Sequence, residues 1–132
     1  MQCEILLSDI IRDVTGLNDE IIKREGIPFL EAVQGIIEFV GDDCLVGHNI
    51  AFDVRFLQKA CKTLNIDFPD IKAIDTIGVA RKAISNHVAD YRLKTLIKYF
   101  GIATKQSHRA LPDAHLTAQL YLKLNDILRA AT

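Results

Sequence analysis

The sequence predicts an α/β fold, and three observations lead to that prediction. Short apolar runs that fit buried strands alternate with longer segments whose apolar residues recur at helical spacing. Hydrophobic residues make up 49% of the chain, which is ample for a packed core and argues against disorder. The length suits one domain and no repeat or linker divides it, so residues 1–132 are predicted to form a single domain.

Two helices are predicted in the first third of the chain, while residues 1–14 support no assignment. Residues 18–20 resemble a helix start, because acidic side chains favour the positive end of the helix dipole, and Gly26 would end that helix. Pro28 opens the second helix and Gly41 stops it. The apolar residues of the second helix follow helical spacing: Phe29, Val33, Ile36, Ile37 and Val40.

Two short buried strands are predicted, each followed by a helix. The first strand covers residues 44–47, and the helix after it runs from about Phe52 to Leu64. The second strand covers residues 73–76, and one to two turns of helix then reach Ile84. The predicted apolar face of the first of these helices comprises Phe52, Phe56, Leu57, Ala60 and Leu64. Two short strands do not make a full sheet, so either the N-terminal residues add strands or the sheet is incomplete.

Two more helices are predicted near the C-terminus, which brings the total to about six. The first ends at Gly101 and is marked by apolar residues at helical spacing: Leu93, Leu96, Ile97 and Phe100. A loop over residues 102–110 carries His108, and Pro112 fits the first turn of the last helix. The predicted core face of the last helix comprises Leu116, Leu120, Leu124 and either Ile127 or Leu128.

Charge and cysteine content limit the class of protein. A net charge of -1 and a pI of about 6.4 argue against a broad basic face for nucleic acid, but not against an enzyme with an acidic, metal-binding cleft. Cys3, Cys44 and Cys61 are widely spaced and odd in number, so free thiols in a reducing cytoplasm are the simplest interpretation. No signal peptide or run long enough for a membrane span is apparent, so we expect a cytoplasmic protein without membrane contact.

Three residues are the main candidates for chemistry. Asp53 and Asp113 are candidate metal ligands, because hard cations such as Mg²⁺ and Mn²⁺ take oxygen ligands. Each lies near the start of a predicted helix, where an aspartate that stabilises the helix dipole is the alternative explanation. His108 is the candidate general base, since histidine exchanges protons near neutral pH, and an exposed loop histidine is the alternative.

Other polar residues have predicted roles beside these three. His48 could bond backbone groups and so fix the turn into the next helix, which Asn49 could cap. We favour Asp75 as a structural cap of the helix that follows it. Phe52 and Phe56 are expected in the core rather than as platforms for stacked bases. Four basic residues could contact phosphates or form solvated helix faces: Arg81, Lys82, Arg92 and Lys94.

Two segments together resemble a known family. Residues 45–53 (LVGHNIAFD) and residues 108–114 (HRALPDA), at this separation, resemble the DnaQ-like 3′–5′ exonucleases of the DEDDh type. Weaker matches follow the family order at residues 14–20, 75–76 and 93–102, so the resemblance covers nearly the whole chain from about residue 5. The family includes the proofreading exonucleases of bacterial replicative polymerases, and the resemblance implies an RNase H-like fold.

The resemblance also implies site residues, cofactors and partners. Asp53 corresponds to the carboxylate of the family's second motif, Asp113 to the last carboxylate, and His108 to the general base. His48, Asn49 and Phe52 are expected to contact substrate. Two divalent cations, Mg²⁺ or Mn²⁺, would support phosphodiester hydrolysis at 3′ ends. Single-stranded DNA is the expected substrate, RNA is not excluded, and a polymerase or helicase is the expected partner or parent chain.

One family motif is not found, and it limits what the resemblance implies. The first motif, Asp-x-Glu on an opening strand, has no counterpart in residues 1–12. The chain therefore resembles the C-terminal part of such a domain and is expected to bind metal weakly and to be inactive alone. One alternative is a non-catalytic interaction module of the same fold. Such a module would form a homodimer by covering its exposed sheet edges. Another is a mainly helical binding domain whose acidic residues are incidental.

Overall fold

The computed structural model describes residues 19–131, which fall into two compact units. The first unit contains the described residues up to Asp43 together with Val54–Ile71, and the second contains Cys44–Asp53 and the residues from Lys72 onward. The described elements are α1 (Asp19–Glu25), α2 (Phe29–Val40), β1 (Leu45–Gly47), α3 (Ile50–Thr63), β2 (Ala73–Asp75), α4 (Thr76–Ala83), α5 (Leu93–Tyr99) and α6 (Ala110–Ala130). Six helices and few strands agree with the α/β prediction, while residues 1–14 lie outside the described part.

The helices of the first unit begin and end where the sequence predicts. Pro28 precedes α2, and Gly41 ends it with a φ of 51°, which glycine adopts without steric cost. The amide of Gly41 donates to the carbonyl of Ile37 at 3.0 Å and closes the last turn. The core of this unit consists of four buried residues: Val33, Leu57, Ala60 and Cys61.

The predicted apolar faces of α2 and α3 are partly wrong. Ile36 is 47% exposed and Phe56 is 55% exposed, although both were expected to be buried. The buried stripes follow Val33 and Val40 on α2 and Leu57 on α3, and they are narrower than the apolar patterns of the sequence. Helical spacing identifies the side of a helix that is apolar, but the residues at its edges are buried only if another element covers them.

The second unit is built on a short parallel sheet. Leu45 pairs with Ala73 and Gly47 with Asp75, so both predicted strands form and lie side by side. Only Gly47 is buried in β1, where Val46 is 36% exposed, and no residue of β2 is buried, so the prediction of buried strands is wrong for most of β1 and for all of β2. The parallel pairing brings the C-terminal ends of β1 and β2, and the turns that follow them, to one edge of the described sheet.

Helix α6 organises the core of the second unit by packing against α4, α5 and β1. Leu120 and Leu124 are fully buried, which confirms the central part of its predicted face, while Leu116 and Ile127 pack at the margin. The buried core residues are Ala80, Ile84, Leu93, Leu96, Ile97, Leu120 and Leu124. Thr117 is also buried, which the sequence did not indicate, and its hydroxyl donates to the Asp113 carbonyl at 2.8 Å.

Candidate active site

The turns after β1 and β2 are joined through Asp75, the last residue of β2. One carboxylate oxygen of Asp75 accepts a hydrogen bond from the Ile77 amide at 2.9 Å, as expected of a helix cap. The same oxygen accepts from the Asn49 amide at 3.0 Å. Asp75 therefore holds the start of α4 and also the turn that leads from β1 into α3. The second of these contacts spans 26 residues and was not foreseen.

His48 makes a side-chain contact that the sequence did not indicate. Its Nδ1 lies 2.8 Å from the Thr76 hydroxyl, which is fully buried. That hydroxyl also donates to the Gly47 carbonyl at 3.3 Å, so Thr76 joins His48 to the end of β1. The Nε2 atom of His48 is buried and has no hydrogen-bond partner in the described part of the chain.

Burial determines the charge of His48. Burial lowers the pKa of His48, and the backbone of Tyr91 and the carboxylate of Asp75 oppose that effect without reversing it. A lowered pKa means that the imidazole is more readily neutral in the folded protein than in the unfolded chain.

Asn49 and Phe52 lie at the entrance to α3 but not as the sequence predicts. Asn49 has a left-handed backbone with a φ of 61°, and within residues 19–131 its side chain makes no hydrogen bond that would cap α3. Its carbonyl instead accepts from the Phe52 amide at 3.1 Å. Phe52 is 62% exposed, so the expectation that it belongs to the core is wrong. An exposed ring at this position is available to a ligand.

The two candidate carboxylates differ in their surroundings. Asp53 is in the first turn of α3, largely exposed, and partial burial of its carboxyl raises its pKa. Asp113, in the first turn of α6, is half-buried and accepts three hydrogen bonds. Gln106 Nε2 donates to Oδ2 at 3.0 Å, while the hydroxyl and amide of Ser107 donate to Oδ1 at 3.2 and 3.3 Å. Asp113 therefore fastens the loop that carries His108 to the start of α6.

His108 is exposed on this loop and has a left-handed backbone with a φ of 58°. Ser107 supports the conformation from both sides, because its hydroxyl also accepts from the Arg109 amide at 3.2 Å. His108 lines a pocket of about 680 Å³ together with His48 and Asn49. The structure thus brings one residue of the C-terminal motif beside two residues of the earlier motif. The contributions of Ser107 and Gln106 were missed, although both directly precede His108 in the sequence.

The described residues do not complete a metal site. Within residues 19–131 no group of three or more His, Cys, Asp or Glu side chains is arranged to hold a metal ion. Both oxygens of Asp113 already accept hydrogen bonds, and Asp53 contributes only one further carboxylate. A divalent cation usually needs more oxygen ligands than this from protein, water and substrate. Asp53 and Asp113, the two expected ligands, are present, but they do not by themselves identify a metal ion that would bind.

Comparison with known proteins gives the class of protein first. The chain matches the RNase_T family model, described as an exonuclease, over residues 4–121. This match and the α/β fold define the class as a domain of an exonuclease family. The chain belongs to the DnaQ-like exonuclease family, which confirms the resemblance seen in the sequence. In the described part of the chain, no helix has the length and apolar character to span a membrane.

Several relatives are components of bacterial DNA polymerase III. The chain is 36% identical over 118 residues to the PolC-type DNA polymerase III of Listeria welshimeri, which is 89% of this chain and 8% of that protein. It is 35% identical over 119 residues to the PolC-type enzyme of Bacillus subtilis, again 8% of that protein. It is 34% identical over 115 residues to the epsilon subunit of Aquifex aeolicus, 86% of this chain and 55% of that protein. The chain thus spans only part of the length of each relative.

Proposed function

We propose that this chain is the part of a 3′–5′ exonuclease that carries the general base and two metal-binding carboxylates. The observation that carries the proposal is the position of His108, which is exposed at a pocket shared with His48 and Asn49 and held by a loop fastened to Asp113. An exposed imidazole on a fixed loop can take a proton from a water molecule that attacks a phosphodiester bond. In this proposal the terminal nucleotide binds in the same pocket, next to the imidazole of His108.

Asp53 and Asp113 are proposed as two of the ligands for Mg²⁺ or Mn²⁺ in a complete site of the two-metal type. Each lies in the first turn of a helix, and the family match spans both. Because the sequence has no Asp-x-Glu motif in residues 1–12, we propose that the 132-residue chain binds these cations weakly and hydrolyses nucleic acid poorly by itself. Residues 1–132 are proposed to form one exonuclease domain, since the family match includes residues of both compact units.

The substrate and partner follow from the relatives as proposals. Relatives named as DNA polymerase III suggest that the substrate is a single-stranded 3′ end of DNA and that the function is proofreading or processing in the cytoplasm. RNA is the alternative substrate. A polymerase, as parent chain or as separate subunit, is the proposed partner, with a helicase as the alternative.

Hydrolysis of a 5′-labelled single-stranded oligonucleotide in the presence of Mn²⁺ tests the proposal. We compare the 132-residue chain with the complete product of the gene that encodes it. A product that supplies further acidic ligands should shorten the strand from its 3′ end, and Asp53→Asn and Asp113→Asn should each remove most of that activity. Asp126→Asn is the matched control, because Asp126 is exposed on the same helix as Asp113. Absence of exonuclease activity from the complete product would overturn the proposed function.

A second result bears on the proposal that this chain binds metal weakly and hydrolyses nucleic acid poorly by itself. Rapid Mn²⁺-dependent release of nucleotides by the purified 132-residue chain, removed by Asp113→Asn, would contradict it while supporting the exonuclease function. The circular dichroism spectrum of each variant should match that of the wild type, so that lost activity is not mistaken for lost folding.

A non-catalytic, dimerising module of the same fold is the alternative, and exposed apolar side chains are the observation that favours it. Phe39 is 90% exposed and Leu111 is 70% exposed, more than is usual for such large side chains. Light scattering distinguishes the two proposals: a dimer that Phe39→Ser or Leu111→Ser converts to a monomer supports the module. A monomer at all concentrations would contradict the dimerising module.

A further inference from the structure

Two neighbouring pockets of the second unit meet at His108. Both are lined by Lys94, Gln106 and His108, and their volumes are about 680 and 650 Å³. Because they share these three residues, the two pockets adjoin at the proposed general base. We name the basic side chains that line them the basic groove: Arg81, Arg92, Lys94, Lys98 and Lys105.

The basic groove concentrates positive charge in a chain whose net charge is -1. The chain has 17 Asp and Glu residues, yet Asp90 is the single acidic residue lining these two pockets of the described part. Arg92 pairs with the Asp90 carboxylate at 3.1 Å and so neutralises it. In residues 19–131, no ion pair joins Lys94, Lys98 or Lys105 to an acidic side chain. The exposed charges of these three lysines are therefore available to an anionic ligand.

Aromatic rings lie among these cations. The Arg81 guanidinium is 5.4 Å from the centre of the Tyr91 ring, and Tyr91 lines the first pocket. Tyr99 lines the second pocket and is 47% exposed, and its ring meets Phe100 edge to face at 4.9 Å. Cations that follow a backbone and tyrosines that accept stacked bases together are typical of surfaces that bind single-stranded nucleic acid.

We propose that the basic groove binds the sugar-phosphate backbone of a single nucleic-acid strand whose 3′ end lies at His108. The proposal rests on the proposed function for the direction of the strand, but the groove's charge and aromatic residues support strand binding independently. It assigns Lys94, Lys98 and Lys105 to phosphates next to the terminal nucleotide. Charge segregation, rather than net charge, then explains how a slightly acidic chain holds an anionic polymer.

Fluorescence anisotropy of labelled oligonucleotides of about 12 nucleotides tests the groove. EDTA is included so that binding is measured without metal or hydrolysis. The variant Lys94→Gln/Lys98→Gln/Lys105→Gln should bind on the order of ten- to a hundredfold more weakly than wild type near 0.1 M salt. The slope of log affinity against log salt should fall in magnitude by about 2, because each lost phosphate contact contributes about 0.7 for a single strand.

Two control variants separate the groove from general charge effects. Replacement of the same three lysines by arginine keeps the charge and should leave affinity nearly unchanged. The variant Lys23→Gln/Lys62→Gln/Lys72→Gln removes three exposed lysines outside both pockets and should bind like the wild type. Equal weakening by this control, affinity of the groove variant within about twofold of wild type, or no salt-dependent binding by the wild type would each overturn the proposal.

The sugar and the strandedness are tested in the same assay. Lysine-dependent binding of either a thymidine or a uridine oligonucleotide supports the groove, and the ratio of the two affinities identifies the preferred sugar. Tighter binding of a duplex of equal length would overturn the assignment to a single strand. Failure of the groove is distinguishable from failure of the proposed function. Groove-dependent binding without exonuclease activity in the complete gene product refutes only the proposed function, and Asp113-dependent hydrolysis with unchanged binding refutes only the groove.

Discussion

Asn49 and His108, one from each family motif, both hold a left-handed backbone immediately before or near the start of a helix. This conformation is uncommon for side chains other than glycine, and asparagine tolerates it better than histidine. Each is fixed by a neighbour: the Asn49 amide donates to Asp75, and Ser107 bonds both Asp113 and the Arg109 amide. Residues held in such conformations by their surroundings are concentrated at functional sites.

The stability of the fold should depend on pH through His48. Burial lowers the pKa of His48, so below its unfolded pKa of about 6.5 the unfolded chain binds more protons than the folded protein. The contribution of His48 is therefore fully present above about pH 6.5 and is lost as pH falls toward the folded pKa. Urea unfolding between about pH 7.5 and 5.5 should show free energy falling by at most about 1.4 kcal/mol per pH unit from this group.

A variant pair assigns that pH dependence. His48→Gln removes the titrating group, so its unfolding free energy should vary less with pH than that of the wild type. His87→Gln replaces an exposed histidine and should leave the wild-type pH dependence intact. If both variants keep the wild-type slope, the pH dependence arises elsewhere in the chain.

At the scale of elements, the junction from β1 to α3 depends on the absence of a side chain at Gly47. A Cβ atom placed there would lie 2.5 Å from the Ile50 Cδ1 atom and 3.2 Å from its Cβ atom. The Cβ of Ile50 belongs to the first turn of α3 and cannot rotate away. Gly47→Ala should therefore lower the free energy of unfolding by about 1–3 kcal/mol, measured by urea unfolding.

Gly78 is the matched control for that substitution, since it lies inside α4 with nothing within 4 Å of an added Cβ. Gly78→Ala should raise the free energy of unfolding by about 0.4–1 kcal/mol through the entropy of the unfolded chain. Equal effects of the two substitutions would contradict the close contact between Gly47 and Ile50.

The loop that carries His108 should loosen when the Asp113 carboxylate is removed. Asp113→Ala removes all three acceptor contacts with Gln106 and Ser107, and each such hydrogen bond typically contributes about 0.5–1.5 kcal/mol. We expect faster hydrogen exchange of the Ser107 amide and a lower free energy of unfolding. Asp126→Ala, exposed on the same helix, is the control, and unchanged exchange at Ser107 in Asp113→Ala would show that other contacts hold the loop.

At the scale of the whole molecule, the unequal distribution of charge matters more than the net charge of -1. The protein should be retained on a cation exchanger at low salt and about pH 7.5. The five basic side chains of the basic groove form a positive surface that can bind the resin. Lys94→Gln/Lys98→Gln/Lys105→Gln should elute at lower salt than Lys23→Gln/Lys62→Gln/Lys72→Gln, although both lose the same charge. Identical elution would show that the resin responds to net charge alone.

The sequence predicted the elements better than their contacts. Proline and glycine mark where α2 begins and ends, and apolar spacing locates α5 and α6, because these signals are local. The contact of His48 with Thr76 spans 28 residues and depends on the parallel pairing of β1 with β2. Exposure of Phe52 and Phe56 could not be predicted either, since periodicity shows which residues share a helix face but not what covers it.

The clustering of basic side chains in the basic groove could not be predicted from the sequence either. Arg81, Arg92 and Lys94 were seen in the sequence as possible phosphate contacts or as solvated helix faces, with no basis for a choice. Lys98 and Lys105 belong to the same cluster because α5 and the loop after it line the second pocket. A linear count of charges cannot reveal such clustering, because it depends on which loops meet in the fold.

The left-handed backbone at Asn49 and His108 has a consequence for anyone who engineers this chain. Glycine adopts that conformation freely, whereas side chains with a Cβ are disfavoured there, histidine more than asparagine. Selection for thermal tolerance alone would therefore accept glycine at both positions and would discard the imidazole without any penalty. A laboratory library of this chain needs a screen for binding or catalysis in every round, because heat resistance by itself rewards the loss of the motif.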